Sequence, residues 1–111
     1  MGAAYKVLGQ SSPAANTLTT AYTVTTANAS AVVSTIVIAN RETASANFRI
    51  AVQPAGESID VKHYIAYDTV IPALDTIGMT IGITLANTDV ISVYSNNGLI
   101  SFNIFGSEIT P

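Results

Sequence analysis

The sequence contains no cysteine and no tryptophan. Without cysteine the chain has no disulfide, no thiolate metal site and no cysteine nucleophile. No apolar run reaches the roughly 18 residues that a membrane-spanning helix needs, so we expect no membrane partner. The opening MGAAYKVLGQ lacks the long apolar core of a signal peptide, and we expect none.

Charged residues are also scarce. They make up 10% of the chain, against about 25% in ordinary domains, while the mean hydropathy is +0.43. The four Lys and Arg residues are scattered, whereas nucleic-acid binding needs them clustered, so no nucleic-acid partner is predicted. A free monomer with so few charges is poorly protected against association. The composition therefore favours a surface covered by copies of the chain or by another protein, with a threonine-rich monomer as the alternative.

The 111 residues suit one domain, 1–111. Short runs of β-branched and aromatic residues alternate with turn-forming residues, and no stretch shows a helical period. This pattern predicts an all-β fold, a single β-sandwich of about seven or eight antiparallel strands, jelly-roll or immunoglobulin-like. A small β-barrel is the alternative.

Three stretches carry more specific predictions. Asn-Asn-Gly at 96–98 separates two strand-like runs and predicts a hairpin with a type I′ turn. Residues 31–39 have apolar side chains on both alternating faces, which predicts a central strand covered on both sides. Residues 106–111 are expected to form a polar tail.

No motif indicates catalysis. His63 is the only histidine, and with no cysteine to join it a structural or interface role is expected. Ser, His63 and Asp68 supply the residue types of a hydrolase triad, but no G-x-S-x-G motif accompanies them. The acidic residues show no calcium-loop spacing, and a loop calcium site at Glu57 and Asp60 is the disfavoured alternative. We therefore predict no enzyme, no catalytic residue, no metal and no cofactor.

The five tyrosines offer a further alternative, because aromatic rings can form a carbohydrate-stacking platform. Each of them lies in or beside a predicted strand, so packing in the core or in an interface is the favoured interpretation. They are Tyr5, Tyr22, Tyr64, Tyr67 and Tyr94.

Two patterns suggest how the chain meets its neighbours. Residues 75–83 place Thr and Gly on one alternating face, and such a flat face suits close approach of another strand or subunit. Residues 1–16 form a possible extended N-terminal arm, whose apolar part is expected to add a strand to a neighbour. The predicted assembly interface comprises Ala4, Tyr5, Lys6, Val7, Leu8, Thr76, Gly78, Thr80 and Gly82.

Three stretches together cover most of the chain: YKVLGQSSP, FRIAVQPAGESIDVKHYIAYD and DTIGMTIGITLANTDVISVYSNNGLISFNIFGSEIT. They resemble small β-rich virion proteins of tailed bacteriophages, particularly those of cyanobacterial and other aquatic hosts. The resemblance defines no functional residues that can be carried over to this chain.

This resemblance implies a non-enzymatic structural protein of the virion, assembled in the cytoplasm of the host bacterium. The implied role is a capsid cement or decoration protein that stabilises the head. Its partners would be further copies of itself, a trimer by analogy, and the major capsid protein or another virion protein. A tail, neck, baseplate or fibre-associated protein is the alternative in the same class. A carbohydrate- or host-receptor-binding module is the alternative from another class.

Overall fold

A computed structural model describes residues 2–111, which form nine β-strands. The strands are β1 (Gly2–Ser11), β2 (Thr19–Thr23), β3 (Ser30–Asn40), β4 (Ala46–Gln53), β5 (Tyr64–Ile71), β6 (Thr76–Met79), β7 (Ile83–Leu85), β8 (Val90–Ser95) and β9 (Ile100–Thr110). Sheet A has the order β1-β9-β3-β6, with β7 also paired to β3, and sheet B has the order β2-β8-β4-β5. The predicted all-β sandwich is confirmed. No helix in residues 2–111 has the length and apolar character needed to cross a membrane.

The strand pairs are nested along the sequence. β4 pairs with β5, β3 with both β6 and β7, β2 with β8, and β1 with β9. The chain is thus one long antiparallel hairpin, rolled so that β9 also meets β3 and β8 also meets β4. This arrangement is the jelly roll, one of the two predicted topologies, with β6 and β7 together taking the place of one interrupted strand.

The core lies between the two sheets and consists of alternate side chains from each strand. Phe48 of sheet B meets Phe102 of sheet A edge to face, with ring centroids 6.1 Å apart and planes at 71°. Edge-to-face pairs align the positive ring edge with the negative ring face, so this contact holds the sheets together. Within residues 2–111 every buried side-chain nitrogen and oxygen has a hydrogen-bond partner.

The predicted hairpin at residues 96–98 is wrong. β8 belongs to sheet B and β9 to sheet A, so the turn carries the chain across the sandwich. A type I′ turn needs positive φ at two residues, but of these three only Gly98 has it, at 70°. Asn96 instead bonds to Asn47 of β4 in both directions, at 3.2 and 3.0 Å. Both strands bury one face, and alternation cannot tell pairing side by side from packing across the core.

Strand β3 is central, as predicted, but it is not covered on both sides. Its register against β9 shifts between Val33 and Thr35, so Val33 and Ile36 both point into the core, where they are fully buried. The outer face keeps Val32 exposed, at 36%. One bulge has thus moved an apolar side chain between faces.

The predicted N-terminal arm and the predicted polar tail each contribute to a strand of sheet A. Of the possible arm at 1–16, Gly2–Ser11 forms β1 and pairs along its length with β9, while Met1 lies outside the described residues. The predicted polar tail at 106–111 is the last part of β9, which runs to Thr110. In this chain the N-terminal segment is therefore a sheet edge rather than a free arm.

Candidate assembly surfaces

The exposed large apolar side chains fall into two groups. The first group lies on sheet A and consists of Tyr5, Val7 and Val32. The second lies along the β5 side of sheet B and consists of Ile59, Val61, Ile65, Tyr67, Val70 and Leu74. We call the first group, together with Phe105, the β1 patch. We call the second group the β5 patch. Grouped rather than single exposed apolar residues mark contact surfaces.

The β1 patch lies on the outer face of sheet A. Val7 of β1 stands opposite Phe105 of β9. Tyr5 of β1 and Val32 of β3 both stand opposite Ser107 of β9, one on each side. These side chains line one shallow groove, and Tyr5 is 91% exposed. The patch therefore extends across three neighbouring strands.

The strands of sheet A place no charged side chain on this outer face, although Arg41, which follows β3, reaches it and donates from Nε to Ser101 of β9 at 3.0 Å. Its strands contain two charged residues, Lys6 and Glu108, whose Nζ and Oε1 atoms lie 3.5 Å apart. Glu108 also accepts a hydrogen bond of 2.7 Å from the Tyr22 hydroxyl of sheet B, so the pair is turned toward the opposite sheet. Apart from Arg41, the outer face carries Ser, Thr, Asn, Gln, Gly and apolar side chains.

The threonine and glycine residues predicted for assembly lie at the other margin of sheet A. Thr76 pairs with Ala39 and Gly78 with Val37, which places both on the outer face. Thr80 and Gly82 lie in the exposed segment between β6 and β7. A Cβ added at Gly78 or Gly82 would meet nothing within 4 Å, so this margin is open.

The predicted N-terminal residues divide between surfaces. Tyr5 and Val7 belong to the β1 patch, whereas Ala4 and Lys6 lie on the Glu108 side of the strand. Leu8 is only 9% exposed and belongs to the core. The structure thus brings Tyr5, Val7, Thr76 and Gly78 onto one sheet face, at its two margins, and their role in assembly stays a prediction.

The β5 patch arises from irregular pairing at a sheet edge. The register of β5 against β4 shifts twice, around Ile50. Because of the first shift, both Tyr67 and Asp68 stand opposite Arg49, and Asp68 adopts a positive φ of 48°. The bulges turn side chains outward that strict alternation would have buried.

Arg49 organises the outer face of sheet B beside this patch. Its guanidinium carbon lies 4.2 Å from the ring centroids of both Tyr67 and Tyr94. Its Nε and Nη2 donate to the two carboxylate oxygens of Asp68 at 2.7 and 3.3 Å. The Asp68 hydrogen bond raises the pKa of Arg49 further above its ordinary value, so the guanidinium stays charged.

Replacing Arg49 by lysine should cost about 1 to 2 kcal/mol of unfolding free energy, because lysine keeps the charge but loses the forked bond and the stacking. Arg41, which donates to Ser101 and Ser12 on the surface, provides the matched control. Its change to lysine should cost about 0.5 kcal/mol or less. Urea unfolding of both variants measures the difference, and equal losses would contradict the stacking role.

His63 has a structural position. Its Nδ1 accepts from the Asp60 amide at 3.0 Å, and its Nε2 lies 3.2 Å from a Glu57 carboxylate oxygen. The ring is buried, and these partners assign the proton to Nε2. Residues 61–63 form a 3₁₀ turn that begins at Asp60. The histidine therefore fastens the loop that carries Ile59 and Val61 of the β5 patch.

The His and Asp side chains considered for a catalytic or metal site are bonded to other residues. Asp68 holds Arg49, while His63 bonds to Glu57 and Asp60, so the formal Ser-His-Asp set is not assembled around His63. Within residues 2–111 no group of three or more His, Asp or Glu side chains is placed to hold a metal ion.

The Tyr22–Glu108 contact predicts acid sensitivity. The hydrogen bond from Tyr22 lowers the pKa of Glu108 below its ordinary 4.5. A carboxylate with a depressed folded-state pKa stabilises the fold fully above its unfolded pKa and loses that contribution as pH falls through the folded value. We therefore expect the free energy of unfolding to fall below about pH 4.5.

Tyr22→Phe should lower the free energy of unfolding at pH 7 by about 2 kcal/mol and weaken the acid dependence. Tyr5→Phe, at an exposed hydroxyl, should leave both unchanged. Urea titrations between pH 3 and 7 test this, and an unchanged acid slope in Tyr22→Phe would refute the assignment.

No protein-family model, no curated protein and no solved structure matches this chain.

Sequence reasoning missed the β5 patch and the Arg49 cluster. A usable signal was present: the run from Tyr64 to Ile71 carries apolar side chains on both alternating faces, which an edge strand with one buried face does not need. Such a run at an edge indicates either bulges or a contact surface.

Proposed function

We propose that this chain is a non-enzymatic structural protein of a tailed-bacteriophage virion, specifically a capsid cement or decoration protein. It would be assembled in the host bacterial cytoplasm and stabilise the head by contacting the major capsid protein or another virion protein and further copies of itself. The observation that carries the proposal is the presence of two separate apolar patches. A protein that cements neighbours must hold at least two of them at once.

The two patches face away from each other. β1 packs against β2, and the contact is so close at Gly9 that an added Cβ would overlap the Ala21 carbonyl oxygen. In sheet B, β5 is the edge farthest from β2. The β1 patch, on the outer face of sheet A, and the β5 patch, at the far margin of sheet B, therefore lie on opposite sides of the sandwich, where one molecule can contact two partners without their colliding.

The outer face of sheet A is poor in charged residues, and this supports a protein partner. Interface centres are depleted in charged residues, and removing water from Ser, Thr and Gly costs less than removing it from an ion. With charges so few, the contact surfaces of this chain fit shape and apolar burial rather than ion pairing. The resemblance of three stretches to phage virion proteins points in the same direction.

Immunogold labelling of purified particles of the encoding phage, with copy number from quantitative mass spectrometry, tests this proposal. We expect gold over the head and a copy number comparable to that of the capsid protein. Absence of the chain from purified particles would overturn the virion role. Gold confined to the tail, with few copies, would replace the cement role by the tail or neck alternative.

One observation favours a second candidate, the carbohydrate- or receptor-binding module. Tyr64 and Tyr67, with centroids 4.9 Å apart and planes at 83°, border an open groove beside Ile59 and Val61. Glycan-array binding that Tyr64→Ala abolishes and Tyr5→Ala leaves intact would support it. Against it, Arg49 occupies one face of the Tyr67 ring, so less ring surface is free for stacking.

A further inference from the structure

β1 offers the longest regular free edge among the described strands. Its six residues Gly2–Val7 keep one unbroken register with β9, and all six are exposed. The other edges are short or irregular: β2 has five residues and a register shift, β5 has two shifts, and β6 and β7 are separate short pieces. An unbroken edge presents unpaired backbone donors and acceptors to another strand.

Of the usual protections against edge pairing, residues 2–7 carry one, the charged side chain of Lys6. Proteins block edges with proline, with bulges or with charged side chains. Residues 2–7 contain no proline, and the bulge comes only at Leu8. Their one charge, Lys6, is drawn toward Glu108 and leaves the outer face apolar at Tyr5 and Val7.

We propose that two copies of this chain pair edge to edge through β1, antiparallel and centred on Tyr5, so that their A sheets join into one continuous sheet. The proposal names the contact between copies that the proposed function requires. It rests on the proposed function only in placing the dimer on the capsid. A two-fold pair of this kind uses the same surface of both subunits. It makes a dimer in place of the trimer that the resemblance implies.

Side-chain chemistry favours this register over the one centred on Lys6. Centring on Tyr5 places Tyr5 opposite Tyr5 of the partner subunit and Val7 opposite Ala3 of the partner subunit, all on the outer face. Aromatic and aliphatic cross-strand pairs stabilise a sheet. Centring on Lys6 would instead place two like charges directly opposite, which is destabilising.

The charges of the inner side also fit this register. Lys6 stands opposite Ala4 of the partner subunit, and Ala4 is the residue that pairs with Glu108 in its own sheet. Two strand spacings amount to about 10 Å, a span that lysine and glutamate side chains bridge together. Each Lys6 thus lies between two Glu108 carboxylates, its own and that of the partner subunit. The bulge at Leu8 ends the pairing.

The interface is small, so the isolated dimer should be weak and reversible. On a capsid, attachment through the β5 patch would raise the local concentration of neighbouring copies and strengthen the pairing. Sedimentation equilibrium of the purified chain, from about 1 μM to 1 mM, should show a monomer–dimer equilibrium. A chain that stays monomeric throughout, or that forms trimers, overturns the proposal.

Two matched charge variants test the site. Tyr5→Glu places like charges across the two-fold axis and should weaken the dimer more than about tenfold. Val61→Glu introduces the same charge in the β5 patch and should leave the dimer unchanged. Both side chains are highly exposed, at 91% and 86%, so both variants should fold, which circular dichroism checks. Equal effects of the two variants would overturn the assignment to β1.

Single cysteines test the register, because the chain has no cysteine of its own. Directly opposite residues in an antiparallel pair have Cα atoms about 5 Å apart, which a disulfide can span. Tyr5→Cys should therefore cross-link under mild oxidation. Val7→Cys should not, because the two copies of that position lie about 13 Å apart along the strands. Efficient cross-linking of Val7→Cys with none at Tyr5→Cys would refute the register.

The outcomes separate the two proposals. A monomeric chain that still labels phage heads would remove the β1 pairing and keep the cement function. A dimer with the expected cysteine pattern that is absent from virions would keep the pairing and remove the cement function.

Discussion

Replacing Gly106 by alanine is expected to lower the free energy of unfolding by about 3 kcal/mol. A Cβ at this position would overlap the carbonyl oxygen of Val32 and crowd the Cα of Val33. Both are backbone atoms of β3, at the point where the β3 bulge meets β9. No side-chain rotation relieves such a clash, so β9 and β3 must separate locally and lose packing and hydrogen bonds.

Gly78→Ala is the control, since it makes the same chemical change in open space on the same sheet. It should be neutral or stabilising by about 0.5 kcal/mol, because alanine restricts the unfolded chain more than glycine does. Urea unfolding of both variants measures the contrast. Similar stabilities for the two would show that β9 can shift away from β3 at little cost.

Phe102→Ala should destabilise the chain by about 4 kcal/mol, because it removes a fully buried ring and leaves a cavity between the sheets. A loss of this size is a large part of the stability of an ordinary domain. Phe102 makes the edge-to-face contact with Phe48, so the variant also loses the aromatic link across the core.

The same strand provides the control for this change. Phe105 lies three residues away on the outer face, in the β1 patch, and its change to alanine should cost about 1 kcal/mol. A double-mutant cycle of Phe102→Ala with Phe48→Ala should give a coupling of about 1 kcal/mol. Zero coupling would mean that the two rings act only as separate apolar volume.

Alternation predicted which side chains enter the core wherever the strands are regular. Phe48 and Ile50 alternate with Arg49 in the sequence and both point inward, because a half-buried strand must alternate. Strand pairing could not be obtained in the same way. Inward-facing residues of β8 and β9 have the same pattern whether the strands lie side by side or across the core, and the turn at 96–98 suggested the wrong choice.

Bulges limited the prediction of surfaces. Single extra residues at Leu8, Ser34 and Asp68 reverse which side chains face outward, and a one-residue shift changes the face of everything that follows. The Thr and Gly face around Gly78 could be predicted from the sequence because β6 is regular. The Arg49 cluster depends on a bulge and a positive φ at Asp68, neither of which a periodic pattern encodes.

The nested order of strand pairs also sets when the proposed self-association edge comes into being. Gly2 and Thr110, at one end of the β1–β9 pair, are 108 residues apart, whereas β4 and β5 are neighbours along the chain. Closing a long loop between distant residues costs conformational entropy, and this cost is smaller once nearer contacts have formed. We therefore expect β1 to dock last, which pulse-labelled amide exchange during refolding would reveal as late protection of residues 2–11. A nascent chain would then lack the β1 edge of sheet A, and chains would associate through it only after the rest of the molecule had folded.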